Sequence, residues 1–125
     1  MTKRTLTIAD LPLPPPELRG NTRAHNLARY RAQQAYKEAV VIRLRMAGWQ
    51  GPPMRWASVK YTFRYKGRPP DPDNLIYGMK AALDALVDEG VLRDDNVEAL
   101  WFEAPRFRRV KRGQEPGVTV ELRER

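Results

Sequence analysis

Apolar and polar residues alternate through residues 59–65, and this period of two predicts a β-strand with one buried face. Residues 5–8 alternate in the same way and predict a first strand, which the proline-rich run at residues 11–16 ends. Two further strands are predicted at residues 100–107 and 118–122. The alternating segments therefore predict a sheet of four strands.

Two other segments repeat their apolar residues at the spacing of an α-helix. Residues 22–47 carry a broken 3.6-residue stripe on an otherwise basic helix, which Gly48 ends. Residues 73–89 carry a stronger stripe and precede Gly90, the residue type favoured just after a helix. A basic turn is predicted at residues 106–113. The order β-α-β-α-β-β indicates an α/β (α+β) fold in which two helices pack on a mixed sheet.

Length and composition limit what this fold can be. A chain of 125 residues forms one domain with a single modest core. The absence of Cys excludes disulfides, thiolate zinc sites and cysteine nucleophiles, and one His excludes a histidine-rich metal site. No apolar run reaches membrane-spanning length, and the first residues lack the apolar run of a secretory signal. We expect a cytoplasmic protein without a membrane partner or a small-molecule cofactor.

The distribution of charge adds a candidate site to this picture. A net charge of +8 and a pI near 10.2 predict an anionic partner, with nucleic acid favoured over membrane. Residues 71–103 nevertheless hold nine Asp/Glu against two Lys/Arg. Such a block is destabilised by like-charge repulsion unless a metal ion or the flanking basic segments neutralise it.

The acidic residues are concentrated in two short motifs. Asp71 and Asp73 stand at i and i+2 where a turn meets the second predicted helix, and Asp94 and Asp95 follow the end of that helix. One of the first pair could serve only as a helix N-cap. Capping requires one carboxylate, however, and Mg²⁺ prefers several oxygen ligands, often completed by water and substrate phosphate. A Mg²⁺ site for phosphodiester cleavage is the functional interpretation.

Lys80 is the single basic residue inside the second predicted helix. It follows Asp73 by seven residues, nearly two turns, and so returns to the same helix face. It could be a surface residue paired with Asp84 at i+4. Alternatively, its own positively charged ammonium group could contact the scissile phosphate.

These motifs resemble those of a known family. Asp71-Pro72-Asp73-Asn74-Leu75, then the segment 80–86, then Gly90-Val91-Leu92-Arg93-Asp94-Asp95 are similar to the RusA family of Holliday junction resolvases. The resemblance is specific over residues 71–95 and only topological elsewhere. It implies a small dimeric α/β endonuclease that uses Mg²⁺ to nick four-way DNA junctions symmetrically.

The resemblance also implies roles for individual residues. Asp71, Asp73 and Asp95 would be catalytic metal ligands, and Lys80 would be the catalytic lysine. The spacer before Lys80 is about three residues longer than in the best-known member, nearly one helical turn.

Basic residues flank the acidic motifs on both sides and could hold phosphates with little sequence readout. A merely solvated basic surface is the alternative. Asn21 and Arg23 are weaker candidates for DNA contact. The predicted DNA-binding residues are Lys60, Arg64, Lys66, Arg68, Arg106, Arg108, Arg109, Lys111 and Arg112.

The sequence therefore predicts a Mg²⁺-dependent endonuclease for four-way DNA junctions. A non-catalytic basic DNA-binding module is one alternative, and a nuclease for other branched DNA is another. Two symmetric cuts by a chain with one acidic cluster require two chains, so a two-fold homodimer is expected. Tyr65 and Phe107 are expected in the core or at a dimer contact, and the apolar candidates for the dimer interface are the exposed side of the second helix and Trp49, Trp56, Trp101 and Phe102.

Overall fold

The fold is built around a long central strand that leads directly into the acidic motif. The computed structural model describes residues 3–20 and 22–125. The strands are β1 (Thr5–Leu11), β2 (Ala57–Tyr65), β3 (Leu100–Phe102), β4 (Arg106–Arg109) and β5 (Gly117–Glu124). The α-helices are α1 (Asn26–Ala47), α2 (Pro72–Gly78) and α3 (Lys80–Asp88), and a 3-10 helix spans Pro16–Leu18. The predicted α+β class with a mixed sheet is confirmed.

The strands form one mixed sheet in the order β1-β5-β2-β3, and β4 pairs with β2 beyond β3. The pairs β1·β5 and β5·β2 are antiparallel, whereas β3 and β4 both run parallel to β2. Because β1 and β2 are each antiparallel to β5, they run in the same direction. The carboxyl ends of β1, β2 and β4 therefore lie at the same edge of the sheet.

The helices cover one face of this sheet. Val59, Tyr61 and Phe63 of β2 are buried, while the alternate positions Lys60 and Thr62 are less buried, which confirms the predicted alternation. Their neighbours in β1 and β5 continue the same apolar face. α1 contacts both α3 and β1, so the core lies between these helices and the sheet. The opposite face of the sheet carries the polar side chains.

The second predicted helix is divided into α2 and α3 by a turn at Met79. It begins at Pro72, one residue before the predicted start, which suits proline because the first helical N–H has no partner inside the helix. The first helix begins at Asn26 and not at residue 22. His25 is its N-cap, and the His25 side chain accepts a hydrogen bond from the Leu27 N–H.

The predicted strand 100–107 is wrong as a single element, since it forms β3 and β4. Val59 pairs with Phe102, and three residues later Thr62 pairs with Arg106, so the segment between the two strands contains one extra residue. Pro105 in this interruption cannot donate a ladder hydrogen bond. Residues 106–109 are consequently a strand. Of the turn predicted at residues 106–113, only the part after residue 109 lies in a loop.

The proline-rich connector after β1 packs closely on α2. A Cβ atom added at Gly78 would lie 2.5 Å from the Pro14 Cβ and 3.5 Å from the Leu18 carbonyl oxygen. Tyr36 of α1 also holds this connector, because its hydroxyl donates a 2.7 Å hydrogen bond to the Pro12 carbonyl. We call residues 12–20 the strap. The strap depends on the missing side chain at position 78.

None of the helices in the two described ranges combines the length and apolar character that crossing a membrane requires.

Gly78→Ala is expected to destabilise the protein by about 1–3 kcal/mol, because the new methyl group overlaps the strap. The cost of this overlap should exceed the gain in helix propensity of about 1 kcal/mol that alanine brings. Urea unfolding of the single variant and of the Pro14→Gly/Gly78→Ala double variant measures the effect. Gly78→Ala should cost less stability in the Pro14→Gly background than in the parent. Equal stability of Gly78→Ala and the parent would contradict the close packing.

Candidate active site

The predicted site lies beside the sheet edge at which β1, β2 and β4 end. The loop after β2 contains Lys66 and Arg68 and leads to Asp71 at the start of α2. The loop after β4 contains Lys111 and Arg112, and the strap follows β1. Parallel strands thus bring three separate segments to one edge. Among the charged side chains of these segments, Arg19, Arg68 and Asp71 line one pocket.

Asp71 occupies the N-cap position of α2, but its side chain makes no capping hydrogen bond. Among the described residues, the Asp71 carboxylate meets only the Asn74 side-chain amide, at 3.5 Å. Both Asp71 and Asp73 are exposed to solvent. The simple capping role considered from the sequence therefore does not use the Asp71 carboxylate, which stays available to a ligand.

A concave pocket of about 400 Å³ adjoins Asp71. Its charged and polar lining consists of Arg19, Arg68, Asp71 and Asn74, and Pro69, Pro70 and Leu75 complete it. Arg68 was expected near the acidic motif from its sequence position. Arg19 was not predicted as a site residue, because the strap carries it there from a distant part of the sequence. Its only sequence signal is that it is a basic residue three positions after Pro16, the end of the proline-rich run.

Lys80 pairs with one residue of the second acidic motif and with one residue of its own helix. Its Nζ donates a hydrogen bond to Asp95 Oδ2 and lies 3.1 Å from Asp84 Oδ1. The i+4 pair considered as the structural alternative is therefore present, together with a second partner fifteen residues along the chain. The hydrogen bond to Asp95 raises the pKa of Lys80, and the same bond lowers the pKa of Asp95.

Asp94 orders the loop that presents Asp95. Its carboxylate accepts the Asp95 backbone N–H at 2.7 Å and the Asn96 side-chain amide at 3.1 Å. Arg93 secures the same loop by donating to the carbonyl oxygens of Arg55 and Glu98. Asp94 therefore has a structural role here, and Asp95 is the member of the pair that faces Lys80.

The three predicted metal ligands do not form a preassembled set. In the part of the chain that the structure describes, no three His, Asp or Glu side chains are grouped so that they could hold one metal ion. Asp71 and Asp73 still offer the exposed carboxylate oxygens that Mg²⁺ prefers, and Mg²⁺ is often bound by one or two carboxylates together with substrate phosphates. The donor chemistry therefore fits Mg²⁺.

Two of the predicted DNA-binding arginines make contacts within the protein, although Arg109 is exposed to solvent. Arg64 donates to Thr119 Oγ1 at 2.7 Å and to the Ala9 carbonyl at 3.2 Å, and only 17% of its side chain is exposed. Arg109 donates to the Gly67 carbonyl and lies over the Tyr65 ring, 5.3 Å from its centroid. Both residues therefore stabilise the sheet edge next to the site.

The remaining basic candidates occupy two surfaces. Lys66, Arg68, Lys111 and Arg112 are exposed in the loops at the site edge. The strand pairings Thr62↔Arg106 and Arg64↔Arg108 place Arg106 and Arg108 on the polar face of the sheet with Lys60. Arg23 is exposed ahead of α1, and the predicted contact at Asn21 lies outside the described residues.

Comparison with known proteins provides no further identification: no family model and no curated protein sequence matches the chain.

Lys80→Met is expected to destabilise the protein by less than about 1 kcal/mol at pH 7, because 60% of the Lys80 side chain is exposed and solvent screens the ion pair. Since the Asp95 pKa is lowered, this contribution is present above the ordinary carboxyl pKa of about 4 and is lost as the pH falls through the lowered value. The raised pKa of Lys80 preserves the contribution up to alkaline pH. Urea unfolding without divalent cations at pH 7 and pH 3 measures the difference.

Lys66→Met is the matched control, since Lys66 is exposed and makes no ion pair with the described residues. Its stability difference from the parent should vary less between the two pH values. A Lys80→Met difference that grows toward acid pH would contradict the ion-pair assignment.

Proposed function

We propose that the chain is a Mg²⁺-dependent, structure-specific DNA endonuclease that resolves four-way junctions by paired phosphodiester cleavage. Phosphodiester hydrolysis needs a site where carboxylates, cations and a bound phosphate come together. The strongly basic protein and its acidic motif supply these groups. The cytoplasmic location expected from the sequence belongs to the same proposal.

The observation that carries the proposal is the contact between Lys80 and Asp95. It connects the helix that follows Asp71 and Asp73 with the loop that contains the second acidic motif. Lys80 and Asp95 belong to two of the three segments on which the resemblance to the RusA family depends. The contact joins residues fifteen positions apart in the sequence, which the i+4 pair with Asp84 alone would not do.

Each residue has a defined part in this function. Asp71, Asp73 and Asp95 would hold Mg²⁺, which supplies charge neutralisation and activation of water when bound. Lys80 would leave Asp95 as the site assembles and direct its ammonium group to charge on the reacting phosphate. The mobile, exposed character of a lysine side chain suits such a change of partner.

The basic surfaces support binding of DNA. The site-edge group, Lys66, Arg68, Lys111 and Arg112, can contact phosphates next to the carboxylates. Lys60, Arg106 and Arg108 extend the positive charge across the polar face of the sheet. Phosphate contacts of this type give affinity that falls with salt and carries little sequence information. Recognition of shape, rather than of sequence, follows from such an interface.

A homodimer belongs to the same proposal, because two strands of a junction must be cut. Trp101 and Phe102 on the edge strand β3 are 59% and 51% exposed, and Trp56 is 43% exposed. Trp49 differs from these, since it is partly buried and the Arg4 guanidinium lies 4.8 Å from its ring centroid. Ile76 and Tyr77 form the exposed apolar side of α2. The aromatic edge at β3 is the preferred isologous contact.

A non-catalytic DNA-binding module is the second candidate. The observation in its favour is that the three predicted metal ligands are not grouped in the described structure. A nuclease that acts on flaps or other branched DNA would share the chemistry and differ only in substrate. A junction cleavage assay distinguishes these functions.

Asp73→Asn should abolish Mg²⁺-dependent cleavage of a synthetic four-way junction, because it removes a charged oxygen ligand. Junction binding should be retained or strengthened, since a source of repulsion toward phosphate is lost. Cleavage is followed on strand-labelled junctions, flaps and linear duplex with Mg²⁺ or EDTA. Binding is followed by fluorescence anisotropy.

Asp88→Asn is the matched control, because it makes the same charge change at an exposed position at the end of α3. It should cleave at the parental rate. Equal cleavage by Asp73→Asn and the parent would refute the carboxylate mechanism. Strong binding by the parent without cleavage of any substrate would favour the non-catalytic module.

Trp101→Ser is expected to weaken dimerisation at least tenfold, since truncation of a central interface tryptophan commonly costs more than ~2 kcal/mol. Static light scattering over a micromolar dilution series measures the dissociation. Tyr30→Ser on α1 serves as the control, because Tyr30 is similarly exposed, at 58%. A parent protein that stays monomeric with and without junction DNA would contradict paired cleavage by a dimer.

A further inference from the structure

The strap places an arginine beside the acidic motif, although the two are distant in the sequence. Pro14 contacts Gly78 at one end of α2, and Gly20 approaches the Asn74 and Tyr77 side chains nearer its start. The strap therefore runs along α2 from its last residue toward its first turn. Arg19 reaches the pocket next to Asp71 as a result.

The Arg19 guanidinium is held in place by one of its own nitrogens. Nε donates a 3.0 Å hydrogen bond to the Pro14 carbonyl oxygen, within a strap made rigid by its prolines. The side chain is only partly exposed. Among residues 3–20 and 22–125, no carboxylate lies within ion-pair distance of Arg19 or Arg68. Two arginines without acidic partners therefore line one pocket.

The pocket chemistry fits an anion that carries several acceptor oxygens. Two guanidinium groups and the Asn74 amide can donate hydrogen bonds, and the two arginines outnumber the single Asp71 carboxylate. A planar guanidinium binds phosphate through two parallel hydrogen bonds, which lysine cannot reproduce. Arg19 loses little conformational freedom on binding, because the strap already orients it.

We infer that Arg19 and Arg68 together bind one backbone phosphate of the DNA strand held at Asp71. The inference rests on the proposed function for the identity of the anion as DNA, and it adds a phosphate-binding residue that the sequence motifs do not contain. The strap is then part of the substrate-binding surface. Arg19 holds the strand, while the carboxylates and Lys80 act on the neighbouring phosphate.

The test measures DNA binding in EDTA, so that it does not depend on cleavage. The probe is a synthetic four-way junction, with a linear duplex of the same arm sequence for comparison. Arg19→Gln should weaken junction binding about tenfold, as expected for one charge-assisted phosphate contact. It should also reduce the slope of log Kd against log salt by about one. Arg45→Gln, at an exposed position near the end of α1, makes the same charge change and should alter Kd less than twofold.

A series of junctions that each carry one neutral methylphosphonate then locates the phosphate. One substitution should weaken binding by the parent about tenfold and add little to the loss already caused by Arg19→Gln. The same substitution should have a reduced effect on Arg68→Gln, because both arginines contact one phosphate. Arg68 is exposed and forms no ion pair among residues 3–20 and 22–125, so its replacement should leave the fold intact and this arm remains decisive if Arg19→Gln is unstable.

The inference is overturned if Arg19→Gln and Arg45→Gln have equal affinities and equal salt slopes. It is also overturned if no single neutral phosphate loses its effect in the arginine variants. If one neutral phosphate loses its effect in the arginine variants but the parent cleaves no substrate, the nuclease proposal is contradicted and the phosphate contact is established. If the parent cleaves the junction but every neutral phosphate keeps its effect in the arginine variants, only the phosphate contact is contradicted.

Discussion

Hydrogen bonding along both edges of β2 is the constraint on which the fold depends. Unpaired backbone groups in a buried strand are costly, so β2 needs a partner on each side. β5 supplies one side over residues 57–64, whereas β3 and β4 divide the other side between them. The parallel direction of β2 and β4 then places the loops after both strands at one edge. The position of Asp71 follows from the end of β2 and does not depend on the acidic residues themselves.

Electrostatics determines how the protein accommodates so many carboxylates in one part of its chain. Lys80 contacts both Asp84 and Asp95, so one ammonium group offsets two carboxylates from different segments. Asp71 and Asp73 have no such partner within the described ion pairs, and their exposure to water reduces the cost of their charge. The acidic block is therefore divided into a neutralised part and an open part. The open part is the one that adjoins Arg68 and the concave pocket.

The strap shows how a small domain extends a site with residues from another part of its chain. Gly78 has an ordinary helical backbone position, and its lack of a side chain matters because of the neighbouring Pro14. Tyr36 holds the same strap from α1, and burial raises the pKa of Tyr36 well above its ordinary value. Its hydroxyl therefore remains a neutral hydrogen-bond donor at physiological pH. Core packing and a surface pocket consequently depend on the same few contacts.

Elements with local signals could be predicted from the order of the residues. Alternation identified β2, helical spacing identified the long helices, and Gly48 and Gly90 stand at their ends with positive φ angles of 69° and 74°. The acidic motifs and most of the basic site edge could also be read from residue type and spacing.

Which of these residues contact one another depends on how the elements pack in three dimensions. The division of residues 100–107 depends on pairing with β2, the internal use of Arg64 depends on β1 and β5, and the approach of Arg19 depends on packing against Gly78. Local periodicity records the environment of one element. It does not record contacts between segments that are distant in sequence, because those contacts arise only when the sheet and helices pack together.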